Sequence, residues 1–364
     1  MDQTPLYHVW SYTEVDRRFW QEHLEGWLPQ RIFDAHTHIN EPHLRIAPMT
    51  EQKRRQYWVN EVAEPIGAAD AERCHRVVFP GREFSCLAFG FPSLEYDIEA
   101  SNAALQRECV ARGWYRLAVV RPCWSQERVA VELDQPHVLG VKVYYELISH
   151  DPTTRDKHLE ASIFDFLPHH QLELLNQRGS WITLHVPKAA RLGHPQNIDE
   201  VRRIRQWYPH IVLVIAHLGR SYTLPHAQES LPQLADDPGL YFDIAAVLNP
   251  QVLRFALETL GPERILFGTD NPIMYMRGRQ QWQGRTYVNR TNYPFFFNRQ
   301  REPPEIEAHY TLYVYEALRA LRQACEQLGV TRQQIQAILH DNARRLVEAV
   351  SSRSFPSGSA KNIK

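Results

Sequence analysis

Polar groups in this chain fall where they are expensive to keep. Asp34, His36 and His38 occupy alternate positions of "RIFDAHTH" (31–38), straight after a short apolar run. Lys142 interrupts "LGVKVYYE" (139–146), His185 closes "WITLHVP" (181–187), His217 follows "IVLVIA", and Asp270 ends "RILFGTD" (264–270). Imidazoles, an ammonium and a carboxylate buried together are costly unless something pairs with them, and a divalent cation answers that need. Three or four N/O ligands with an open position make a catalytic zinc-type site, and no thiolate lies in the set.

Each residue has an ordinary alternative. With 18 His in 364 residues, roughly one His-x-His arises by chance. Lys142 has Glu146 nearby as a partner, and Asp270 in "FGTDNP" suits a turn cap. What favours a metal is the conjunction: these residues fall at or near the C-terminal ends of several different apolar runs.

Those runs, with "RVVFPG" (76–81), "YRLAVVRP" (115–122) and "LYFDIAA" (240–246), make eight strand candidates. Several are nearly continuous in apolar residues, as parallel strands covered on both faces must be. Helical signatures lie between them. "SQERVAVELD" (125–134) opens on a Ser cap, and "SIFDFLPHHQLELLNQRG" (162–179) must split at Pro168. "NIDEVRRIRQWYP" (197–209) and "NPQVLRFALETLG" (249–261) are capped as well. Eight alternations of strand and helix predict an α/β fold, a (β/α)8 TIM barrel whose strand C-termini meet at one mouth.

Outside the minimal repeat stand an N-terminal extension (1–30), expected to pack on a barrel spanning 31–350, and a tail (351–364) expected to be flexible. Insertions at 39–75 and 271–307, after the first and eighth strands, start where barrel enzymes build their sites and read as lids. Arg121 and Arg220, just past strand ends, suit a substrate carboxylate, and Tyr144 and Trp124 suit a pocket wall.

Basic and acidic residues number 41 and 42, a net charge of −1, so no global field calls for nucleic acid or an anionic membrane. A small-molecule partner is expected. Cys74, Cys86, Cys109, Cys123 and Cys325 are scattered, with no C-x-x-C pair. They read as free thiols of a reducing, cytoplasmic compartment, and the start resembles no signal peptide. The longest aliphatic runs are too short to cross a bilayer.

The chain resembles the amidohydrolase superfamily, within it the amidohydrolase-2 branch that includes aminocarboxymuconate-semialdehyde decarboxylase-like proteins. The resemblance rests on "FDAHTHIN", "YDIEASNAAL" (96–105), "LAVVRP", "LGVKVYY", "TLHV", "VIAHLG", "ILFGTDNP" and "HDNARRLV" (340–347), in the family's order. It implies a distorted barrel with metal ligands His36, His38, His185 and Asp270. Asp270 also contacts the reacting water, and His217 polarises the reacting group. Lys142 either faces the pocket unmodified beside one ion or, carboxylated, bridges two; one ion, zinc before manganese or iron, is the expectation. The resemblance also implies a homo-oligomer. It points to a metal-dependent hydrolase acting on an amide, lactone or ester-like bond. The alternatives are non-oxidative decarboxylation of a small unsaturated or aromatic acid, and a non-catalytic binding barrel.

Overall fold

The computed structural model describes residues 4–149, 155–293, 296–297 and 301–353. Eight parallel strands pair in chain order: β1 (Arg31–His38), β2 (Glu83–Phe89), β3 (Tyr115–Val119), β4 (Val138–Val143), β5 (Trp181–Leu184), β6 (Val212–Ile215), β7 (Leu240–Asp243) and β8 (Ile265–Leu266). Their residues are almost wholly buried, which is why they read as apolar runs rather than alternating ones.

The sheet nearly closes at the β1–β8 seam, making a distorted (β/α)8 barrel. β8 is only two residues long, so the contact passes to the chain beyond it. Ala35 N–H donates to Phe267 O at 2.9 Å, Asp270 N–H to His36 O at 2.8 Å, and His38 N–H to Asn271 O at 2.8 Å. The Asp34 carboxylate accepts from Thr269 N at 2.9 Å and from its Oγ1 at 2.5 Å.

Helices cover the barrel as the sequence predicts. Ser125 caps Gln126–Leu133. Pro168 separates Ile163–Phe166 from His169–Arg178, and the latter ends at Gly179 with φ 62°, a left-handed conformation that glycine adopts at least cost. Asn249 caps Pro250–Leu260.

The second strand departs from expectation. Residues 76–81 are not a strand: Arg76–Val78 complete the helix Ala68–Val78, and Pro80–Gly81 end the segment. Ala71, Cys74, His75 and Val78 are buried along that helix. Their i, i+3, i+4, i+7 spacing is one helical face, so the paired valines serve a helix. The true β2 follows in "EFSCLAF", where Ser85 and Cys86 dilute the apolar signal.

Ahead of the barrel, a two-stranded ribbon (Thr4–Tyr7, Trp10–Tyr12) leads into the helix Glu14–Phe19. Asp16, fully buried, pairs with Arg277 and accepts a hydrogen bond from Thr311 Oγ1 at 2.8 Å. The segment after β1 forms short helices, Glu51–Arg54 and Trp58–Val62. The segment after β8 forms an antiparallel hairpin, β9 (Gly278–Gln283) and β10 (Thr286–Thr291). Residues 294–295 and 298–300 of that insertion, and 354–364 of the tail, lie outside the described residues. No helix among the described residues is long and apolar enough to cross a membrane.

Candidate active site

β1 ends by aiming two imidazoles into the barrel mouth. His36 is fully buried and His38 is 9% exposed. His36 Nδ1 lies 2.8 Å from Asp243 Oδ2, and His38 Nδ1 lies 3.3 Å from Gly90 O. An acceptor at Nδ1 places the proton there and leaves Nε2 with a lone pair. His217 follows the same rule, with its Nδ1 2.8 Å from Ala245 O. With Nδ1 so engaged, each ring can offer Nε2 as a ligand atom.

Asp270 meets the first two. Its Oδ1 lies 3.5 Å from His36 Nε2 and 3.3 Å from His38 Nε2. Burial alone would raise this carboxyl, but His217, the His38 contact and His36 outweigh it and hold Asp270 well below the carboxylate range. Burial also pushes the His36, His38 and His185 imidazoles below their ordinary values. Neutral imidazoles around an ionised carboxylate are the protonation states a divalent cation requires.

The ligand atoms of His36, His38 and Asp270 lie within 4.8 Å of one another, and so do those of His36, His217 and Asp243. His36 belongs to both groups. His185 shares the cavity, with its ring centroid 5.3 Å from that of His217, but falls outside both groups. Its buried Nδ1 has no hydrogen-bond partner, an orphaned donor or acceptor that a further ligand would satisfy.

Lys142 Nζ sits 3.4 Å from His36 Nε2 and 4.6 Å from the centre of the Phe89 ring. Burial lowers its ammonium to about 8, against the opposing pull of Asp243 and Asp270. Glu146 does not pair with it. That carboxylate bonds Lys53 at 2.7 Å, and Glu95 takes the same ammonium at 2.7 Å. Lys142 therefore belongs to the histidine cluster.

Backbone strain gathers here. Asp270, His217 and Arg220 have φ of 58°, 55° and 64°, a region costly for residues with a Cβ and typical of functional sites.

A cavity of about 240 Å³ opens above these groups. Tyr144 and Arg220 line it, with Lys53 and Tyr57 from the insertion after β1 and Tyr287 from β10. The Tyr287 ring meets Tyr222 edge-on at 5.5 Å. Both insertions thus contribute walls. Arg121 and Trp124 do not line the cavity. Trp124 is buried under Arg128, 4.4 Å from its ring centre, and Arg121 Nε is sealed without a partner. Both lie beyond the end of β3, where the chain turns outward into the next helix.

The amidohydrolase family model (Amidohydro_2) matches residues 33–348. The chain belongs to the amidohydrolase-2 family. Solved structures share the fold at low identity. A zinc-bound amidohydrolase from Burkholderia multivorans aligns with TM-score 0.55 at 14% identity, over 87% of this chain and 99% of its own. IDCase from Metarhizium anisopliae, in apo form, aligns with TM-score 0.54 at 13% identity over 89% and 98%. The structure of an amidohydrolase II aligns with TM-score 0.53 at 18% identity over 87% and 99%. No curated protein matches the sequence.

Asp243, Lys53 and Arg191 were not singled out from sequence. Asp243 had a visible signal, a carboxylate closing "LYFD" in the pattern that marked Asp270. Lys53 and Arg191 sit in irregular connections, where no periodicity points inward.

Proposed function

We propose that this amidohydrolase is a metal-dependent hydrolase of a small molecule, cleaving an amide, lactone or ester-like bond. The observation that carries the reading is the convergence of His36 Nε2, His38 Nε2 and Asp270 Oδ1 at 3.3–3.5 Å. With His185, they are the residues that would hold the ion. A divalent cation bound there would act as a Lewis acid and lower the pKa of water towards neutrality.

The chain's own groups do the rest. Asp270, ionised at neutral pH, accepts a proton from the attacking water and returns it to the departing oxygen or nitrogen. His217, fixed through Ala245, orients towards the substrate carbonyl and stabilises charge that develops on its oxygen. Lys142 adds positive charge beside His36 without modification. Arg220 and Tyr144 face the substrate, and the two insertions limit access of bulk water.

Loss of carbon dioxide from a small unsaturated or aromatic acid is the second reading. It is favoured by the rings around the donor set: Phe89 lies 4.9 and 4.8 Å from the His36 and His38 rings, and Phe91 stacks on His38 at 5.0 Å. In that case Asp270 or His217 would deliver a proton to the carbon.

The test is metal content by inductively coupled plasma mass spectrometry of wild type, His36→Ala and Asp270→Ala, with turnover of lactones, amides and unsaturated acids. About one zinc or manganese per chain, lost in both variants together with hydrolysis, is expected. Two ions per chain would assign Lys142 the bridging role instead. Carbon dioxide release without ring or amide opening would establish the second reading, and metal-free hydrolysis would exclude the first.

A further inference from the structure

Two guanidinium groups line the cavity, and neither pairs with a carboxylate among the described residues. Arg220 follows β6. Its Nη1 donates to Lys188 O at 2.8 Å and to Val186 O at 3.5 Å. Arg191 follows β5. Its Nη1 donates to Arg220 O at 3.0 Å and faces His226 Nδ1 at 3.0 Å. The two cations are therefore neighbours, and every one of these bonds is made through Nη1 to a neutral acceptor. The Nε–Nη2 edge of each guanidinium makes no hydrogen bond among the described residues, and none of those atoms is sealed from solvent without a partner. Tyr222 closes one side, 5.4 Å from Arg191 Cζ.

The contrast with the rest of the molecule is informative. The buried arginines Arg116 and Arg277 each meet a carboxylate, Glu132 at 2.9 Å for the first and Asp16 for the second. Two adjacent cations held half-buried without a counter-ion are unfavourable. The arrangement also holds both residues in left-handed backbone, φ 63° at Arg191 and 64° at Arg220, a cost that persists only where the surroundings enforce it. Across the barrel mouth, on the β1–β2 side, Lys53 is neutralised by Glu95 and Glu146. Apart from Lys142 in the histidine cluster, the positive charge of the cavity that lacks a carboxylate partner among the described residues therefore lies on the β5–β6 side.

We propose that Arg191 and Arg220 form a subsite that grips a carboxylate of the substrate remote from the reacting bond, which makes a small organic acid the substrate class and Arg191 a specificity-determining residue. A carboxylate presents two coplanar oxygens, and a free Nε–Nη2 edge meets them through two parallel hydrogen bonds. The inference rests on the cavity being the substrate pocket. It does not depend on which bond is cleaved.

Calorimetric binding to the full-length protein as purified tests it without turnover. The probes are benzene-1,3-dicarboxylate, benzoate and the neutral benzamide, offered to wild type, Arg191→Gln and Arg191→Lys. At least one acid is expected to bind wild type more tightly than benzamide. Its Kd should rise roughly tenfold or more in Arg191→Gln, as loss of charged hydrogen bonds predicts, and by less in Arg191→Lys. Unchanged metal content and unfolding midpoint in the variants would exclude collapse of the site as the cause. Acid and amide binding alike, no acid binding at all, or acid binding indifferent to Arg191 would overturn the proposal. An Arg191-dependent acid preference in a protein whose hydrolysis survives metal removal would overturn the metal-dependent reading and leave this one standing.

Discussion

His75 is buried to 2% exposure, its ring 3.8 Å from Phe84 and 6.2 Å from Trp114, and neither nitrogen has a hydrogen-bond partner. Burial drives its imidazole down to about 3. The unfolded chain takes up a proton near pH 6.5 while the folded one does not, so acid favours the unfolded state. The stability this neutral ring preserves is complete above pH 6.5 and is lost as pH falls towards 3. The full effect is on the order of 5 kcal/mol. Urea unfolding of wild type and His75→Leu at pH 7 and pH 4.5 should show a smaller pH penalty in the variant; equal penalties would mean that the site hydrates. At this scale the sequence was informative where a polar residue closed an apolar run, as at His36, His38, His185, His217 and Asp270. It was silent about partners. Glu146 stands four residues from Lys142 yet pairs with Lys53, because the turn Tyr145–Leu147 carries it away from the β4 axis.

Among elements, the short helix Glu51–Arg54 turns one buried side chain towards the barrel. Lys53, 3% exposed, ties the insertion after β1 to Glu95 beyond β2 and to Glu146 beyond β4. Lys53→Met would strand two carboxylates in a buried setting and should cost about 3–5 kcal/mol, as removal of one partner of a buried ion pair does. Chemical denaturation measures that loss. Lys53→Met combined with Glu95→Gln and Glu146→Gln should recover much of it, and failure to recover would assign the loss to packing. Element boundaries were legible where caps mark them, at Ser125, Pro168, Gly179 and Asn249. They were misread at 76–81 because β-branched residues at a helix end resemble a strand until their partners at i−3 and i−4 are known to be buried. The hairpin β9–β10 escaped notice because "RQQWQGRTYVNR" is mostly polar and carries its fold in the turn at Gly284, φ 55°.

For the molecule as a whole, barrel closure was legible from eight alternations, but the manner of closing was not. A two-residue β8 cannot zip the sheet alone, so the seam is completed by the chain after it, Phe267 to Asn271, against Ala35 to His38. His36, His38 and Asp270 stand on that seam, from opposite ends of the chain. An ion held by all three would act as a clasp: it would close a loop of more than two hundred residues and remove the entropy of an open ring. Loading and folding would then be one equilibrium, with the chelated protein opening first along this line. Hydrogen exchange should report it, the amides of Ala35, His38 and Asp270 accelerating on metal removal ahead of those in β4 to β6. The same atoms that would prepare water for reaction would thereby decide how long the cylinder stays shut, and cellular metal supply would set the enzyme's lifetime as well as its rate.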